Sequence, residues 1–171
     1  MNTFIEKQRF TQWWLWLILA SALIAPLTVC LYDIHYHKAA HSTSELIAGA
    51  VVPAAIILLF MSFRLDTRID ESGVWYRFFP LQAKMGCVVW ADVEKAYIRK
   101  YNPILDYGGW GIRFGLGGKG KAYNISGNIG LQLELKTGKK ILFGTQQPDK
   151  IKEFLVQLVR EKKVEKAVIN G

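Results

Sequence analysis

Three histidines, His35, His37 and His41, crowd one short segment of the chain. An H-x-H pair with a third imidazole four residues on is a spacing that zinc or copper accepts. No cysteine joins them, and Asp33 and Glu45 are the only carboxylates nearby. The segment reads as a polar connector, and no metal or other cofactor is expected. A second candidate is the stretch from Gly115 to Ala122. Gly115, Gly117 and Gly120 fit G-x-G-x-x-G, and Gly115 with Gly120 and Lys121 fits the phosphate loop G-x-x-x-x-G-K-[ST] up to its last position. There Ala122 has no hydroxyl to give magnesium. Both motifs also need a helix N-terminus behind the loop, whose free N–H groups hold phosphate. Tyr123-Asn124-Ile125-Ser126-Gly127 is instead a strand-and-turn sequence. The stretch reads as a glycine-rich hairpin loop, with Lys119 and Lys121 as point charges for anionic lipid headgroups.

Trp110 and Arg113 form the third candidate, in Gly108-Gly109-Trp110-Gly111-Ile112-Arg113. Bare glycine backbone lets a neighbour come close to an aromatic ring and a planar cation. The pair suits either internal stacking of the arginine on the tryptophan or an exposed anchor for a partner. The carboxylates are scattered, and Asp92 and Glu94 read as strand-edge charges rather than an acid–base pair. No nucleophile–base arrangement is visible, so no catalytic residue and no enzymatic activity are expected. Nucleic acid is not an expected partner either, because Tyr76, Phe78 and Trp90 sit in strand-like runs and no basic recognition helix accompanies the charge.

The elements that must carry these residues begin with two apolar runs, Trp13 to Tyr32 and Leu46 to Phe63, neither interrupted by a charge. At ~1.5 Å per residue each can cross a hydrocarbon core of ~30 Å, the second with little to spare. A signal peptide would carry a shorter core and a small-x-small cleavage site, whereas this run exits through Cys30-Leu31-Tyr32-Asp33. Leu27-Thr28-Val29-Cys30 loosely matches a lipoprotein motif but has Val29 where a small residue belongs. Two retained helices are expected, over about 12–32 and 45–63. Pro26 and Pro53 read as ordinary membrane prolines, and Gly49, Ala50, Ala54 and Ala55 as a stretch where the first helix packs closely. Lys7 and Arg9 precede the helices and Arg64 and Arg68 follow them, while the connection holds only Lys38. Positive charge on the outer flanks places both termini in the cytoplasm and the histidine segment outside.

The domains expected are thus a membrane hairpin over 1–63, a soluble domain over 64–166 and a tail over 167–171. All but three of the 22 Lys and Arg, and all but three of the 14 Asp and Glu, follow residue 63, so this half carries the whole net charge of +8. Leu131, Leu133 and Leu135 alternate with polar residues as in a half-buried strand, Thr137-Gly138 makes a tight turn, and Lys140–Phe143 returns. Leu65–Asp70 and Val74–Phe79 predict a second hairpin around Glu71-Ser72-Gly73. Met85–Trp90, Val93–Tyr101, Trp110–Phe114 and Lys121–Ile125 are further strands. After Pro148 the period changes: Ile151, Phe154, Leu155, Leu158 and Val159 make the apolar stripe of a helix covering a core.

The segments Gly109–Arg113 (GWGIR), Ala122–Gly127 (AYNISG) and Gly144–Pro148 (GTQQP), with the hairpin between the last two, resemble a family of small prokaryotic membrane proteins. In that family one or two spans precede a pleckstrin-homology-like domain. The element order, seven or eight antiparallel strands and one capping helix, suits such a domain, and the resemblance implies a mainly-β split barrel closed by the C-terminal helix, in a bacterial inner membrane, with no reaction or catalytic residue. The expected function is a non-enzymatic interaction or assembly module that binds another protein or a second copy. The alternative is an accessory subunit of a membrane enzyme or transporter, or a module that senses anionic lipid.

Overall fold

A computed structural model of the chain describes residues 3–36, 43–115, 117–161, 163–165 and 168–169. The chain divides into two compact units: Thr11–Ser62 is one, and the residues before it join those from Phe63 onward in the other.

The helical unit consists of α1 (Trp13–His35) and α2 (Thr43–Ser62). Within α1, Trp13–Asp33 is long and apolar enough to cross a membrane, a property that a signal sequence shares. The apolar stretch of α2 is shorter, Ile47–Ser62. Hydroxyls inside the helices bond back to their own turns, Ser21 to the Ile18 carbonyl at 2.8 Å and Thr28 to that of Ala25 at 2.7 Å. Such bonds satisfy a polar group without a partner from outside the helix. The two helices pack where the sequence offers least bulk. A Cβ on Gly49 would lie 3.0 Å from the Pro26 Cβ, so the small residue lets α2 close on the proline ring.

The second unit has two sheets and a C-terminal helix. The first sheet is antiparallel, in the order β1 (Phe4–Arg9), β2 (Arg64–Ile69), β3 (Gly73–Phe79), β4 (Gly86–Val89). A short 3-10 turn, Trp90–Asp92, leads into the rest. There follow β5 (Val93–Lys100), the one-turn helix α3 (Pro103–Tyr107), β6 (Gly111–Gly115), β7 (Gly120–Asn124), β8 (Ile129–Leu135), β9 (Lys140–Gly144) and α4 (Pro148–Arg160). The second sheet has the order β5-β8-β9-β7-β6.

Three expectations are corrected. The strands form two sheets and not one closed barrel. They are also not all antiparallel: the Thr137-Gly138 turn sends β9 back between β8 and β7, so β9 runs parallel to β7, with Lys121 beside Ile141 and Tyr123 beside Phe143. Finally, the residues before α1 are not merely a basic flank of the membrane segment. They form β1, in register with β2 from Phe4 opposite Ile69 to Arg9 opposite Arg64.

Leu65, Ile69, Val74, Phe78, Val93, Ala96, Ile125, Leu131 and Leu133 are buried in one cluster with Phe143. Ile151, Leu155 and Leu158 of α4 are buried with them, and Phe154 lies half-buried against Phe4, ring centroids 6.3 Å apart. Each such side chain contributes about 1.5–3 kcal/mol on burial, which is what seats α4. Its first turn is held from outside, as the Gln147 N–H donates to Thr145 Oγ1 at 2.9 Å.

Candidate functional site

Lys119 and Lys121 lie at one end of the second sheet, where α3, β6, β7 and the β8–β9 turn meet, whereas Trp110 lies at the other end of β6. Asn102 starts α3 by accepting the N–H groups of Ile104 and Leu105, both at 3.0 Å, and Gly108 ends it at φ 72°. A single turn is too short to show a helical period, which is why the sequence reading passed over it. Its cap, Asn-Pro followed by Gly-Gly, was the available signal.

Tyr107 at the end of α3 is buried and anchors the glycine loop, its hydroxyl accepting from Arg99 Nη2 at 2.9 Å and donating to the Lys119 carbonyl at 3.2 Å. A Cβ on Gly115 would meet the Tyr107 ring at 2.8 Å, and one on Gly120 would meet the Lys140 carbonyl oxygen at 2.0 Å. Gly120 also has φ 80°. Strand packing therefore accounts for these glycines. The loop leads into strand β7, so no helix N-terminus stands behind it to hold phosphate, and it is the hairpin loop read from the sequence.

Lys119 and Lys121 part company. Lys119 Nζ is 2.6 Å from Asp106 Oδ1, and the hydrogen bond from this ammonium, followed by that from the Asn102 N–H, holds the Asp106 carboxyl below its ordinary range. Lys121 points into rings instead, its Nζ 4.7 Å from the Tyr123 centroid and 5.5 Å from that of Phe114. Phe114 is 75% exposed. Behind it, Tyr76 packs on Tyr123 and Phe143 at 4.6 and 4.9 Å, and burial with the Tyr123 hydroxyl beside it pushes the Tyr76 phenol up to about 12. Phe114 and Lys139, not candidates from the sequence, line the same open concavity with Lys121, Lys140 and Ile141. Alternation within β6 was the signal for Phe114, because it follows Ile112 on the core-facing side and lies beyond the end of the core.

Trp110 and Arg113 sit beside each other at the start of β6. Trp110 Nε1 donates to the Gly127 carbonyl at 3.3 Å, and exposed Arg113 donates through Nε to the Trp110 carbonyl at 3.0 Å. Gly111 and Gly109, at φ 117° and 125°, shape this bend. Of the histidines, His35 lies in the last turn of α1 with its ring edge-on to Tyr36, while His37 and His41 lie outside the described residues. Among the described residues, no three His, Cys, Asp or Glu side chains gather as a metal set.

One of the two remaining motif segments, Gly144–Pro148, holds β1, and the other, Ala122–Gly127, braces it. The Glu6 carboxylate, 2% exposed, accepts from Thr145 Oγ1 and from the Gln146 N–H, each at 2.7 Å. Gln8 Nε2 donates to the Gly144 carbonyl at 2.6 Å, and the Gln146 amide bonds Ser126 Oγ. Asn124, fully buried, accepts the Gly111 N–H at 2.9 Å and donates to the Tyr101 hydroxyl at 3.1 Å. GTQQP thus ties a strand from before the helices to the sheet that follows them, and AYNISG braces Gln146 and the start of β6. Compared with known proteins, the chain matches no family model and no curated sequence.

Proposed function

We propose that this chain is a membrane-anchored interaction module: a two-helix hairpin crosses a bacterial inner membrane, and a pleckstrin-homology-like unit on the cytoplasmic side binds another protein or a second copy, without catalysing a reaction. The observation that carries the membrane reading is the pairing of β1 with β2. Arg9 and Arg64 are neighbours in one sheet, so the chain leaves and re-enters the β-rich unit on one side of any bilayer. The segment between must then cross an even number of times. If α1 crosses, α2 crosses back, and its 20 residues at ~1.5 Å each suffice. Cleavage after α1, as for a signal sequence, would strip away β1 with its buried Glu6 and Gln8. Lysine and arginine on the outer flanks favour the cytoplasm for this unit.

Two sheets, a C-terminal helix and the three motif segments support the pleckstrin-homology-like assignment. The binding surface is the β6 edge. At the opposite edge of that sheet, Ile169 bridges Ala96 of β5 and the Val168 carbonyl accepts the Ala96 N–H at 2.6 Å. At the β6 edge, Arg113 is exposed beside Trp110. An edge strand offers its backbone to an added strand, and Trp and Arg are the side chains that anchor such contacts.

Two measurements test the proposal in intact cells. Cysteines placed at Ser42 and Lys139 should label from outside and from inside respectively; labelling of position 139 from outside overturns the orientation. A photo-crosslinker at Arg113 should capture a reproducible protein or a second copy, with capture weakened several-fold by Trp110→Ala. A partnerless monomer that turns over a lipid or moves an ion in liposomes overturns the module reading.

A further inference from the structure

Acids and lysines do not balance at the end of the β6–β7 hairpin. Lys119 is spent on Asp106 at 2.6 Å and Lys140 on Glu134 at 3.0 Å. Lys121 and Lys139 remain as surplus positive charge around the concavity they share with Phe114. Phe114 is 75% exposed, and α3, which packs on this loop through Tyr107, exposes Ile104 at 61% and Leu105 at 74%. Large apolar side chains rimmed by lysines fit one kind of surface well: an acyl boundary beneath anionic headgroups, where ring and aliphatic groups bury and ammonium groups stay among phosphates. Gly117 and Gly118, with φ 65° and 76° and nothing within 4 Å of where a Cβ would stand, add no side chain of their own to the loop.

We infer that this hairpin end, with Phe114 as the inserted side chain and Lys121 and Lys139 as the charge contacts, docks on the anionic face of the bilayer. In this proposal Lys139 takes the place of Lys119 in the lysine pair expected from the sequence, since Lys119 is paired with Asp106. The recognition is of negative surface charge plus an accessible acyl boundary, with no headgroup stereochemistry involved. It rests on the proposed membrane placement only in needing the chain to be inserted.

The test uses the full chain with Cys30 and Cys87 replaced by serine and Thr137→Cys carrying an environment-sensitive fluorophore. It is reconstituted in vesicles of phosphatidylcholine alone or with phosphatidylglycerol, and insertion is scored separately by resistance to alkaline extraction. Loss of insertion defeats the membrane reading; the fluorophore reports on docking alone. Phosphatidylglycerol should raise and blue-shift the emission, and salt should reverse this. Lys121→Gln and Lys139→Gln should each lower the docked-to-free ratio about fivefold, and Phe114→Ser, at a surface position, should lower it with the fold intact. Equal emission in the two bilayers overturns the inference. So does a response that survives both lysine changes, or one that follows protein density instead of phosphatidylglycerol, which would make the surface a contact between copies.

Discussion

Asp70 shows how much one side chain can hold. It closes the β2–β3 turn, accepting the Ser72 N–H at 2.9 Å and the Gly73 N–H at 3.2 Å on one oxygen and Arg68 Nη2 at 2.7 Å on the other. Burial pushes its carboxyl up, but hydrogen bonds from Ser72 and then Arg68 outweigh that and bring it from 3.8 down to about 2. A carboxyl depressed in the folded state stabilises the fold fully above its unfolded value and loses that contribution as pH falls through the folded one. Thermal unfolding between pH 5 and pH 2 should therefore show a loss of stability that Asp70→Asn flattens. At neutral pH the same variant should be less stable by about 1–3 kcal/mol. The glycine loop gives a second contrast. Gly120→Ala sets a Cβ against the Lys140 carbonyl at positive φ and should cost about 3 kcal/mol or more. Gly117→Ala, also at positive φ but in open space, should cost about 1 kcal/mol. Equal losses in denaturant unfolding would mean that packing does not explain these glycines.

Strand β1 is the element whose removal the fold should tolerate least. Thr145→Val withdraws the donor from Glu6 Oε2 and the acceptor from the Gln147 N–H together. It should destabilise the unit by roughly 2–4 kcal/mol, because a buried carboxylate is left short of a partner; Thr145→Ser should restore most of the loss. The same strand marks what the sequence could show. The β8–β9 hairpin and α4 were legible because their apolar residues keep periods of two and of 3.6. The β6–β7 hairpin was legible from its glycines. In β1 the inward residues are Phe4, Glu6 and Gln8, so alternation reads as a charged flank, and its partners in GTQQP lie 139 and 140 residues away. Strand order was hidden for a related reason: periodicity says which face is buried and is silent on which neighbour a strand takes. At the candidate site, Trp110, Arg113 and Lys121 could be named from composition. The neutralisation of Lys119 by Asp106 and the role of Phe114 depend on where α3 folds back, which a one-turn helix does not announce.

At the scale of the molecule, the helices are an insertion between two paired strands of a β-rich unit. Replacing Thr11–Ser62 with a short Gly-containing turn should reconnect Phe10 to Phe63, whose rings already lie 6.0 Å apart, and give a water-soluble, cooperatively unfolding protein. Starting the chain at Phe63 instead removes β1 and bares the β2 edge, and that product should aggregate. If both versions prove equally soluble by gel filtration, β1 is dispensable. The β1–β2 pairing also sets a schedule for synthesis. Strand β1 leaves the ribosome before the helices, yet the residues that bind Glu6 follow some 140 positions later, on the order of ten seconds of elongation. On the proposed membrane placement, β1 would have to stay in water throughout that delay, next to a segment entering lipid, and neither follow it nor pair with another nascent chain. A strand that hides Glu6 and Gln8 beside Phe4 is too polar to follow an inserting α1 into a bilayer. On that placement, the carboxylate that is costly to bury in the finished protein would hold the unfinished one on the proposed side.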